Sequence, residues 1–210
     1  MASETFTSVA QTLLTGEMIC ETVYPNEYQF LQNDISTDQI EKFLAQIDRG
    51  LACTQDGRAY YCAFLDVEES GAKTAIRQVF REVAQDLEPL LRWMRFVREA
   101  NAMGQPVESG MLVKQSELLQ AVESSPAKYH ELNELTKSGL FKSSAKNSSA
   151  KIDQILGKLK DKGYLVVQDT SGALFRATGL WSYLYDVLEF IRANEHLESD
   201  DDGNDQPELF

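Results

Sequence analysis

Seven lysines stand between Lys137 and Lys162, at positions 137, 142, 146, 151, 158, 160 and 162, against two carboxylates, Asp153 and Asp161. That segment carries +5, so the other 184 residues carry −18 in a chain whose formal charge is −13. An ammonium on a flexible stem is a point charge suited to phosphate oxygens, and it lacks the planar fork that reads a guanine edge. A charge of −13 argues against nucleic acid for the chain as a whole, because phosphates repel acidic surfaces. The lysine cluster reverses this locally. Lys151, Gln154 and Lys158 recur at spacings of three and four, which aligns them along one face of a helix. Ile152, Ile155, Leu156 and Leu159 make the opposite, apolar face, and Asn147 and Lys162 extend the polar row at its two ends. With Lys137, Lys142, Lys146 and Lys160 these residues are the candidates for contact with double-stranded DNA, without strong sequence preference. The competing interpretation is a solvated lysine face.

Other chemistry is sparse. The two histidines, His130 and His196, are far apart, and the chain has no glycine-rich phosphate loop, no GxSxG and no HExxH. Cys20, Cys53 and Cys62 are odd in number with no CxxC spacing, which predicts reduced core thiols rather than disulfides or zinc. The pair Glu68-Glu69 falls in an expected loop, where solvation explains it. No enzyme, cofactor or metal is expected. The stretch from Leu180 to Ala193 carries Trp181, Tyr183, Tyr185 and Phe190 among other apolar residues, too many for one helix face. Either the rest of the fold or a partner protein must cover the second face, and these four aromatics are the candidate partner-binding residues.

From Glu195 to Phe210 there are seven carboxylates and no Lys or Arg, which predicts a disordered acidic tail. Such a tail could fold back on the lysines at low salt. Its last five residues, Gln206-Pro-Glu-Leu209-Phe210, resemble the short Gln-x-x-Leu-Phe pattern by which some bacterial proteins dock on the replication sliding clamp.

The elements that must hold the lysine face follow from apolar periodicity. Phe6, Val9, Ala10, Leu13 and Leu14 predict a first helix stopped at Gly16. A second, short one runs from about Asn26 to Asn33, since Pro25 can only start it. Ser36-x-x-Gln39 makes a capping-box pattern for a third with Ile40, Phe43, Leu44 and Ile47 on one side. The turn signal Asp56-Gly57 then joins two strands, 51–55 and 58–65, as a hairpin. A helical linker over 72–103, with Ile76, Val79 and Phe80 in its stripe, should be kinked or divided at Pro89. The order then repeats: a short strand at Met111–Val113, helices over 116–122 and 126–140, and a Lys/Ser-rich loop, Phe141–Ser149, with little reason to be rigid. The lysine helix follows, capped by Ser148 or Ser149 and ended by Gly163. A hairpin of strands 164–168 and 173–178 and the helix at 180–193 complete the chain. The expected fold is mainly α with small β-hairpins (α+β): tandem winged-helix domains at 1–66 and 106–194, a helical linker at 67–105 and an acidic tail at 195–210. Through Asp66 the first unit holds 3 basic and 10 acidic residues, so dimerisation or partner docking suits it better than DNA. No stretch approaches the roughly 20 apolar residues that span a bilayer, and the N-terminus lacks a basic signal region. A cytoplasmic protein with no membrane contact is expected.

Three segments carry a resemblance. Met111-Leu-Val-Lys-Gln-Ser-Glu-Leu-Leu119, then Lys151-Ile-Asp-Gln-Ile-Leu-Gly-Lys-Leu-Lys-Asp-Lys-Gly-Tyr-Leu-Val166, then Leu174-Phe-Arg-Ala-Thr178 resemble the C-terminal half of MukE-like proteins, especially the MksE branch. With the first unit and the acidic tail, the likeness extends over nearly the whole layout. It implies a non-catalytic accessory subunit of a bacterial SMC condensin: a homodimer of tandem winged-helix subunits that binds the kleisin subunit and, through it, the SMC ATPase, associates with the nucleoid, and acts in chromosome organisation and segregation or in plasmid defence. Lys146, Lys151, Lys158 and Lys162 would then contact DNA. ScpB-like kleisin partners are similar in layout, but Ala173-Leu-Phe-Arg176 stands where their Gly-Arg-Pro element is expected. A dimeric winged-helix transcription regulator is the reading from another class, and it would need base-reading side chains beyond Gln154 and Asn147.

Overall fold

The computed structural model describes residues 2–66, 70–101 and 104–201. Glu68-Glu69 and the Gln206, Leu209, Phe210 pattern lie outside the described residues, as do the side chains of Ile76, Val79, Phe80 and His196. The described residues form a mixed α and β chain with eight α-helices and two antiparallel sheets of three strands.

The first half begins with α1 (Ala2–Leu14), whose Val9 and Leu13 are buried and whose chain turns back at Gly16 in the left-handed region, φ +81°. Strand β1 (Ile19–Cys20) and helix α2 (Pro25–Leu31) follow, Pro25 occupying the first turn, where its missing N–H leaves no bond unmade. Helix α3 (Asp34–Ala45) starts earlier than the Ser36-x-x-Gln39 pattern predicts. Its cap is Asn33, whose Oδ1 accepts the N–H groups of Ile35 and Ser36 at 3.1 and 3.2 Å, satisfying two donors that the helix itself cannot. Strands β2 (Arg49–Cys53) and β3 (Ala59–Phe64) form the hairpin around Gly57, with Cys53 opposite Tyr60 and Leu51 opposite Cys62. Strand β1 pairs with the other edge of β3, giving the order β1-β3-β2. Val9, Leu13, Ile19, Leu31, Ile40 and Leu44 are the core beneath. Of the expected core thiols, Cys20 is buried, Cys62 is half-buried and Cys53 is exposed.

Helix α4 (Ser70–Ala100) carries Pro89 in its interior and is not divided there, which excludes one of the two outcomes expected, a kink or a division. An interior proline costs about 3 kcal/mol. The next turns bury Leu90, Trp93, Phe96 and Val97, each large apolar side chain adding about 1.5–3 kcal/mol, so continuing the helix is favoured. Those four belong to the second core with Leu132, Phe141, Ile152, Ile155 and Trp181, so the later half of α4 does more than connect.

The second half orders strand β4 (Leu112–Lys114), helices α5 (Gln115–Ser124) and α6 (Pro126–Leu135), a 3-10 turn (Gly139–Phe141), helix α7 (Ser148–Asp161), strands β5 (Leu165–Val167) and β6 (Leu174–Ala177), and helix α8 (Leu180–Asp201). Its sheet has the order β4-β6-β5, with Val113 and Val167 flanking Phe175. Helix α6 stops at Leu135, short of the expected Leu140, because Gly139 adopts φ +67° and sends Phe141 into the core against Trp93, 6.1 Å between ring centroids. The backbone of α8 passes Ala193 and remains helical to Asp201, no glycine or proline interrupting it before Gly203.

The two halves meet along β3 and the start of α8. A Cβ on Gly179 would lie 2.6 Å from Ala59 Cβ and 2.8 Å from Cys20 Cβ, so only a glycine permits this approach. Around it, Ser182 Oγ donates to Asp56 Oδ2 at 2.6 Å, the Gln55 N–H donates to Asp186 Oδ2 at 3.1 Å, and Thr22 Oγ1 donates to the Ala177 carbonyl at 3.2 Å. Arg58 reaches across to Glu108 at 3.2 Å. Among the described residues, no helix is long and apolar enough to cross a membrane.

Candidate nucleic-acid interface

The lysine helix is built as its periodicity requires. Ile152, Ile155, Leu156 and Leu159 are all at most 1% exposed, which turns Lys151, Gln154 and Lys158 outward on α7. The cap is Asn147 rather than Ser148 or Ser149, with its Oδ1 accepting the Ala150 N–H at 2.7 Å. Gly163, at φ +82°, ends the helix, and Leu180 packs over it. Strands β5 and β6 follow directly, and Arg176 on β6 is tied to Gln168 Oε1 and the Gly110 carbonyl, both at 3.0 Å.

The loop before α7 was expected to be loose, and the structure corrects this. Phe141 is fully buried at one end and the Asn147 cap holds the other. Between them the Ser143 N–H donates to the Thr136 carbonyl at 3.0 Å and the Ala145 N–H to Ser143 Oγ at 3.0 Å. Lys158 Nζ donates to the Lys142 carbonyl at 2.6 Å, bracing the loop against the helix.

The lysines are not equivalent. Lys137 pairs with Glu134 at 2.5 Å, and that hydrogen bond holds the Glu134 carboxyl below its ordinary range. Lys162 reaches Asp86 on α4 at 2.7 Å. Burial pushes the nearby Tyr164 hydroxyl up to about 12, with the Asp86 charge adding to the shift. Lys151 donates to Asn133 Oδ1 on α6 at 2.5 Å, and Lys158 to the Lys142 carbonyl, partners that carry no charge. Lys160 lies 3.5 Å from its neighbour Asp161, both exposed, a pair of little strength. Lys142 and Lys146 are exposed and form no ion pair among the described residues. Gln154 is exposed on α7, and Gln115 donates to Asp153 of the same helix. Five of the seven ammoniums thus keep uncompensated or weakly compensated charge. The sequence did not reveal Asn133 and Asp86 as partners, 18 and 76 residues away from the lysines they hold, because no local pattern links them.

The candidate partner-binding aromatics separate. Trp181 is fully buried, its indole N–H donating to the Tyr164 carbonyl at 3.0 Å, so it is a core residue and not a docking residue. Tyr183 packs edge-on against Tyr61 of the first half at 5.2 Å between centroids, and Tyr185 donates to the Val107 carbonyl at 3.1 Å. Much of the second apolar face of α8 is therefore covered by this chain itself. Phe190 alone of the four is exposed, at 56%. His130 is exposed, 3.7 Å from Glu134. Among the described residues no cluster of His, Cys, Asp and Glu could hold a metal ion.

A family model described as condensin complex protein MksE matches residues 4–188, both halves and the whole lysine segment. The chain belongs to the MksE family. It is by that membership a condensin complex subunit, and the match takes in α1 as well as the β4–α5, α7 and β5–β6 regions. Comparison with curated proteins gives no match.

Proposed function

We propose that this MksE-family chain is a non-catalytic accessory subunit of an SMC condensin of the MksBEF type, binding the kleisin subunit and holding duplex DNA without sequence preference. The observation that carries the DNA half is the separation of charge. A chain of −13 gathers seven lysines on α7 and its flanking segments, and five of them have no strong carboxylate partner among the described residues. Each half has three helices before an antiparallel hairpin, the element order of a winged helix, and α7 stands immediately before its hairpin. In that reading the first half serves a homodimer, the second half, 106–194, binds both DNA and the kleisin, and the SMC ATPase is reached through the kleisin. The complex works in the cytoplasm on the nucleoid, in chromosome organisation and segregation or in plasmid defence.

Replacing Lys146, Lys151, Lys158 and Lys162 by glutamate should weaken duplex binding for all sequences alike and flatten its salt dependence. Wild-type affinity in that variant would remove the lysine face from the account. Selection from random duplexes should yield no consensus; a defined palindrome would favour the dimeric transcription regulator instead.

A further inference from the structure

Resting on the DNA reading above, we propose that the lysines of this face divide into two classes. Lys142 and Lys146 contact phosphates, whereas Lys158 and Lys151 are positioning residues that set the loop and helix on which those contacts ride.

The division follows from where each ammonium is committed. Lys158 is half-buried, and its Nζ donates to the main-chain carbonyl of Lys142 at 2.6 Å. A side chain that anchors the backbone of a neighbouring lysine fixes where that lysine leaves the surface. Lys151 is half-buried as well, and its Nζ holds Asn133 Oδ1 at 2.5 Å, joining α7 to α6. One of the three donors of each ammonium is thus committed within the fold, and the half-buried stem ties the head to that position. Among the described residues Lys142 and Lys146 have no such commitment, and they project from a loop held at Phe141, Ser143, Ala145 and Asn147. A fixed backbone carrying free ammoniums loses less freedom on binding than a mobile one, which is the advantage of preorganisation.

Contact and positioning differ in salt dependence. Each phosphate contact contributes about −0.9 to the slope of log affinity against log salt, so losing one shrinks the affinity drop between about 50 and 200 mM salt by about 3.5-fold. The experiment measures binding of the full chain to a random-sequence duplex across that range, with circular dichroism to verify folding of each variant. Lys142→Gln and Lys146→Gln should each lower the slope by about one contact. Lys158→Met should lower affinity at every salt while leaving the slope as in wild type, and Lys158→Arg, which keeps a donor for the Lys142 carbonyl, should restore the affinity. The division is overturned if Lys158→Met removes a full contact from the slope, if Lys158→Arg fails to recover affinity while folded, or if the Lys142 and Lys146 variants leave the slope untouched. Wild-type chain that binds no duplex even at the lowest salt would overturn the DNA reading itself, a failure distinct from these.

Discussion

Gly179→Ala tests the joint between the halves, where Gly179 meets Ala59 and Cys20. Gly179 has no left-handed φ, so alanine suits its backbone, and the whole effect is steric. The new methyl would stand 2.6 Å from Ala59 Cβ and 2.8 Å from Cys20 Cβ, against about 3.6 Å for comfortable carbon contact. Both obstacles are Cβ atoms fixed to buried backbone in β3 and β1, so no side-chain rotation relieves the clash. The halves must part by roughly 1 Å, an overpacking cost of about 2 kcal/mol. The Ser182 to Asp56 bond, now 2.6 Å, would then stretch past hydrogen-bonding range. In a chain of this length the melting temperature should fall by roughly 6 °C. The Gln55 amide, held by Asp186, should exchange with solvent about 30-fold faster. An alanine variant with wild-type melting and unchanged Gln55 exchange would refute the tight joint.

Three further outcomes follow from single residues. Asn147→Ala removes the α7 cap and should cost about 1 kcal/mol in denaturant unfolding, with loss of protection confined first to that helix's opening turn. Gly157→Ala, mid-helix with nothing within 4 Å of the new methyl, should raise stability by about 0.8–1 kcal/mol, and a lowered denaturant midpoint would contradict the open space seen there. Burial raises the Asp56 carboxyl, but hydrogen bonds from Ser182, Thr54 and the Arg58 N–H outweigh it and hold the group below its ordinary range. Its contribution is therefore present above the usual carboxylate range and lost as pH falls through its depressed value, so Asp56→Asn should flatten the acid side of the stability profile. An acid limb as steep as in wild type would show that Asp56 makes no such contribution.

Periodicity was legible wherever an element was long enough to repeat. The stripe of Ile152, Ile155, Leu156 and Leu159 located α7 and its lysine face, and Asp56-Gly57 located the hairpin turn. Strand β1 is only Ile19–Cys20, too short to carry any alternation, and it exists because β3 offers it an edge. Both misread caps have one cause: a serine inside the first turn, Ser36 or Ser148, was preferred to the asparagine before it, and only backbone geometry shows that Asn33 and Asn147 are the extended residues. Trp181 looked like an anchor for a partner because helix α8 is apolar on more than one side. The residues that cover it, from Tyr61 to Tyr164, lie on other elements and are joined to it only by the tertiary fold. The lysines were identified by type and spacing, yet their division depends on Asn133, Asp86 and one carbonyl, which no spacing rule connects to them.

The most direct measurement is isolation of the full-length chain from its native cell under conditions that keep complexes intact, followed by identification of what comes with it. The account predicts a kleisin-like protein and an SMC ATPase in stable proportion, with the ATPase lost when the kleisin is deleted. A homodimer alone, with neither protein recovered, would contradict it.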